Sequence, residues 1–177
     1  MSLVFLLASL SLQPNPSSIL TVCEVLRDLS SYQRKAIVVV GRWSATEEGR
    51  WLSEDGCAMP IKTKTFTWPN DLSLEWDPHS GLDLKTSGFN QAQFERALEK
   101  LRRTTKLKSG QRWAVIYGQI ETRKLRITQA KNEEVVPHGF GHLDGSPAKL
   151  SYGRKSVQFL PSPDAPKDTS SYWIPHR

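Results

Sequence analysis

The sequence predicts an α+β domain: a small five-stranded β-barrel with an N-terminal helix and one inserted helix. Two observations carry the barrel. Residues 35–44 and 111–122 are strand-like runs, apolar on both faces, and each contains a valine-rich stretch that ends on a glycine, Gly41 and Gly118. A glycine inside such a run is what a tightly curled strand needs, as a bulge or bend. A third observation carries the helices. The apolar period switches from two to 3.6 at 21–29 and again at 90–105. With 177 residues, 38% hydrophobic and 24% charged, the chain suits one domain with a real core rather than two.

The elements follow in order. Thr21 is a good N-cap, Glu24 stands at the capping-box position, and Leu20 and Val25 occupy the staple positions. Val22, Val25, Leu26 and Leu29 then form an apolar stripe, which the polar stretch 30–34 ends. Residues 35–44 are a central strand and 50–54 its hairpin partner, with Asp55-Gly56 marking the next turn. Thr63 to Thr67 and the alternating Leu72, Leu74 and Trp76 suggest short strands, with loops at 68–70 and 77–81. Asn90 caps the second helix, Gln93 takes its capping-box position, and Phe89 and Phe94 form its staple. Phe94, Ala97, Leu98 and Leu101 make its buried stripe. Leu125 and Ile127 read as a hairpin return after 111–122, and 148–152 and 156–160 as closing strands. The expected organisation is a signal-type segment over 1–18, the barrel domain over 19–160, and a flexible proline-rich tail over 161–177.

Charge and cysteines bound the setting. Lys and Arg number 24 against 18 Asp and Glu, a net +6. The stretch 90–126 holds ten basic residues and only three acidic ones. A basic stripe suits nucleic acid, anionic lipid or a polyanionic glycan, or else is a solvated helix face whose cations complement the helix dipole. The apolar run 3–12 is too short to span a bilayer but fits the core of a secretory signal. No Lys or Arg precedes it, and Ser9 and Ser11 give a soft cleavage site. Cys23 and Cys57 are the two cysteines. In an exported chain they pair as one disulfide, and in a reducing compartment they are two small buried thiols. The expectation is an extracytoplasmic protein, periplasmic or secreted, with no membrane span in the mature chain.

The segments KAIVVVGRWS and SGQRWAVIYGQIET resemble the paired barrel strands of the tRNA-anti-like group of OB-folds. The capped helix with its cysteine, leading through Tyr-Gln-Arg-Lys into the first strand, resembles small exported bacterial OB-like domains of uncharacterised function. There the turn is usually Tyr-x-Gly-Lys, and here Arg34 replaces the glycine. GFGHLDGSPAKLSY, over 139–152, resembles the closing segment of such proteins. The resemblance covers 21–152 and implies an OB-like barrel. Such barrels bind nucleic acids, oligosaccharides or proteins, so it implies no particular ligand.

Arg-Trp occurs three times, at 42–43, 50–51 and 112–113. Guanidinium plus π-face suits a single-stranded nucleic acid, although strand neighbours point to opposite faces. The ligand-surface candidates are Trp43, Arg50, Trp51, Arg112 and Tyr117. His138 and His142 have i, i+4 spacing near Asp144, but the glycines between them favour a loop. They are weak metal candidates, with Cys57, His79 and His176 the remaining possible ligands. No nucleophile elbow, phosphate-cradling loop or prominent carboxylate pair is present. The expectation is a non-enzymatic binding or interaction module without cofactor, its partner a protein or a polyanionic ligand. A single-stranded nucleic-acid binder is the alternative, and a metal-dependent hydrolase a more distant one.

Overall fold

A computed structural model describes residues 18–63, 66–122 and 139–160. The elements are β1 (Ile19–Thr21), α1 (Val22–Arg27), α2 (Leu29–Tyr32), β2 (Ala36–Thr46), β3 (Gly49–Ser53), β4 (Lys62–Thr63), β5 (Phe66–Thr67), β6 (Asp71–Trp76), α3 (Gln91–Thr104), β7 (Arg112–Thr122), β8 (Ala148–Tyr152) and β9 (Val157–Phe159). Five of the strands close a ring in the order β2-β3-β6-β8-β7, which returns to β2. The β6–β8 contact is parallel and the other four are antiparallel. With α3 between β6 and β7, this is the connectivity of an OB-like barrel. The two valine-rich strands are direct neighbours, in register from Ala36↔Gln119 to Trp43↔Arg112.

Strand alternation divides the side chains into two cores. Ile37, Val39, Leu52, Leu72, Leu74, Ala114, Ile116, Ile120, Ala148 and Leu150 fill the barrel, and Val22, Val25 and Leu26 of α1 complete that filling. The short helices α1 and α2 thus close one end of the barrel. The capping box at Thr21 and Glu24 forms as expected, which fixes where α1 begins. On the outer face of β2 and β7, Val38, Val40, Trp113 and Val115 lie under Phe94, Leu98 and Leu101 of α3. Each such side chain contributes roughly 1.5–3 kcal/mol by leaving water. Arg96, Lys100, Arg102 and Arg103 are on the solvent side of α3, with Lys100 paired to Glu24 at 2.8 Å and Arg103 to Glu99.

Several details differ from the sequence expectation. β1 precedes α1 and pairs in parallel with β2, Thr21 serving both as its last residue and as the helix cap. Gly41 makes no bulge: it pairs with Ala114 in a continuous ladder. Its missing side chain is needed because a Cβ there would come within 2.7 Å of Leu52 and 2.9 Å of Val22. Asn90 accepts from the Gln93 N–H as predicted, but Gln93 does not complete the box and its Oε1 is buried. Arg34 takes a left-handed backbone (φ 60°), a conformation that favours glycine. Its N–H donates to the Ile120 carbonyl at 2.8 Å, tying this turn to β7. Thr63 and Thr67 belong to a separate ribbon of two two-residue strands, β4 with β5, outside the barrel ring. The Leu125–Ile127 return, the 1–17 segment and the 161–177 tail lie outside the described residues.

Candidate binding site at the mouth of the barrel

The end of the barrel opposite α1 is lined by interior-facing positions near one end of each strand. Trp43 on β2 faces Arg112 on β7 across the ladder. Arg50 stands two residues before the interior Leu52 on β3, hence on the same face. By the same alternation Trp76 follows Leu74 on β6, and Tyr152 follows Leu150 on β8. Phe159 of β9 pairs with Ala114 and adds a ring from farther along β7 than β8 reaches. These rings form a connected cluster. Trp43 meets Tyr152 edge-on at 5.9 Å and Phe159 at 5.0 Å, and Trp76 meets Tyr152 at 5.5 Å. The Arg112 guanidinium lies 5.3 Å from the Phe159 ring centre.

Burial pushes the Tyr152 hydroxyl above its ordinary value, against the pull of the Arg50 charge. Tyr152 therefore stays neutral across the physiological range. Phe159 is 40% exposed, while Trp43, Arg50, Trp76 and Arg112 are half-buried. The result is an aromatic floor carrying two guanidinium side chains at the rim. It can stack flat or apolar groups and neutralise anionic ones.

The three Arg-Trp dipeptides each give this mouth one member and send the other outward. Arg42 points out and holds Asp55 through two hydrogen bonds of 2.7 and 2.9 Å, while also donating to the Lys106 carbonyl at 3.0 Å. Trp51 lies on the outer surface, opposite Ser73 on β6. Trp113 is buried under α3. Of the five predicted surface residues, the structure brings together Trp43, Arg50 and Arg112. Trp51 is on the other side of the β3 wall, and Tyr117 packs half-buried in the α3 interface. Trp76, Tyr152 and Phe159 were missed, although the alternation of Leu72, Leu74, Trp76 and of Ala148, Leu150, Tyr152 placed two of them on the interior face.

The outer face of β3 and β6 is covered by residues 139–146 of the same chain. Ser146 donates to the Asp71 carboxylate at 2.7 Å, and a side chain on Gly141 would come within 2.6 Å of Ser73 Oγ. A Cβ on Gly139 would meet Trp68 at 2.6 Å, so the glycines of this segment permit its close approach. Burial pushes the Asp71 carboxyl up, against the lowering effect of Ser146.

Beside α1, Cys23 and Cys57 form a disulfide with a Cα–Cα distance of 5.3 Å. Glu54, 4% exposed, accepts the Cys23 N–H at 2.7 Å, and burial pushes its carboxyl up. Among the described residues, Cys23, Glu54 and Cys57 are the one group of three such side chains near enough to share a cation, but the two sulfurs are bonded to each other. His142 is exposed, 4.0 Å from Glu48, and His138 lies outside the described residues. Among the described residues no helix is long and apolar enough to cross a membrane. No family model, curated protein or solved structure matches this chain.

Proposed function

We propose that the chain is a non-enzymatic binding module of an exported, tRNA-anti-like bacterial OB domain, working through the mouth of its barrel. The observation that supports this most is the convergence of Trp43, Arg50 and Arg112 from three separate dipeptides onto one aromatic floor. The Cys23–Cys57 disulfide favours an oxidising, extracytoplasmic setting. The ligand carries an anionic group for Arg50 and flat or apolar surface for the rings. A single strand of nucleic acid is the second reading. It draws on the exposed Phe159 ring, on which a base can stack, with Arg50 at the same mouth for a phosphate.

Tryptophan emission, titrated with a sulfated glycan and separately with a single-stranded oligonucleotide, tests both readings. A saturable response, weakened at least about tenfold in Arg50→Ala and Arg112→Ala, is expected. Binding that Trp43→Ala and both arginine variants leave unchanged would remove the mouth as the site. A response to the glycan alone would remove the nucleic-acid reading.

A further inference from the structure

Two surface features that the mouth does not use are complementary to each other. The first is the tip of the 139–146 segment. Leu143 is 85% exposed there, with φ 52° and ψ 29°, and Asp144 follows at φ 53°. This left-handed backbone is common for aspartate but unusual for leucine. The segment below holds it in place. Phe140 and Ser146 exchange both backbone hydrogen bonds, at 2.9 and 3.0 Å, and Ser146 is anchored to Asp71. The tip is thus an apolar knob on a fixed stalk. Among the described residues its charged neighbours include the acidic β2–β3 turn, where Glu47 and Glu48 are exposed and Glu48 lies 4.0 Å from His142.

The second feature is a groove of about 490 Å³ between the segment 83–89 and β9. Leu84, Phe89 and Val157 supply apolar surface, and Lys85 and Lys155 are exposed at its rim. Asp83 also lines the groove, where its carboxylate accepts the Lys85 N–H at 2.9 Å. The groove is therefore apolar with a net basic rim, and the knob is apolar with an acidic turn beside it.

We infer that the groove receives the Leu143 tip of a second copy of this chain, giving a head-to-tail contact. Because the two surfaces differ, the contact is heterologous: each copy keeps a free knob at one end and a free groove at the other. The assembly therefore grows with concentration into short open chains, or into a ring if the rotation closes. The acidic–basic rim makes the contact weaker at high salt.

Sedimentation of the full chain across a micromolar to sub-millimolar range tests this. The expected result is a mass that rises with concentration and falls back when salt is added. Leu143→Asp and the double variant Lys85→Glu/Lys155→Glu each weaken association at least about tenfold. Both sites are exposed, and unchanged melting curves confirm that the variants fold. Mixing the two variants provides the decisive arm. One retains only a groove and the other only a knob, so the mixture yields a one-to-one dimer that grows no further. A chain that stays monomeric throughout, with the groove open or filled by other residues of its own, overturns the inference. So does association that survives both substitutions, or a mixture that stays monomeric.

Discussion

Removing the Cys23–Cys57 cross-link should cost this protein much of its stability, with little change in the folded barrel. The bond joins residues 34 apart, tying the first turn of α1 to the segment after β3. A loop of that length, opened in the unfolded chain, restores conformational entropy worth about 4 kcal/mol at room temperature. The folded state needs no rearrangement. Glu54 holds the Cys23 backbone N–H, and Val22, Val25 and Leu26 stay buried without the sulfurs. For a chain of this size the loss corresponds to a drop in melting temperature of roughly 8–15 °C. The assay is urea unfolding of the wild type, with and without a reductant, beside the Cys23→Ala/Cys57→Ala double variant. The midpoint should fall and the slope rise, because the uncrosslinked chain exposes more surface when unfolded. A loss below about 1 kcal/mol would refute the reasoning. It would mean that the unfolded chain already keeps α1 near β3.

Two further perturbations bear on the barrel wall. Asp71→Asn keeps an acceptor for Ser146 while removing a carboxylate that burial disfavours. A carboxyl whose pKa is raised on folding adds stability below its unfolded value and loses it as pH rises through the folded value. The variant should therefore be more stable than the wild type at pH 8, with the difference vanishing toward pH 3, as urea midpoints at the two pH values will show. Gly118→Ala places a Cβ 2.7 Å from both the Leu150 side chain and the Ser151 carbonyl oxygen. It should destabilise by about 1–3 kcal/mol in the same assay, and a neutral result would mean that β8 shifts freely.

Much of this architecture was legible because local patterns agreed with the global fold. The capping box at Thr21, the Asn90 cap and the two valine-rich strands each specify one element, and no tertiary contact overrides them. Other features were hidden for physical reasons. Trp68 sits in what reads as a turn, yet it is 1% exposed, because the Gly139 backbone packs onto it from more than seventy residues away. Three-residue strands such as β1 and β9 are too short to show a period. The mouth was half legible. Alternation says that Arg and Trp neighbours separate, but which member turns inward depends on register, which only the paired strands fix. Phe159 could not be placed from pattern alone, since the turn between β8 and β9 resets the register.

The cladding of β2 and β7 on both faces has a further effect. At their centre, barrel side chains pack on one side and α3 on the other, so this stretch is the part of the wall least able to breathe. Trp43 and Arg112 are held opposite each other at its upper end. A molecule settling there meets groups already standing in position. Little of its binding energy is then consumed in arranging them, and even a small ligand can be retained.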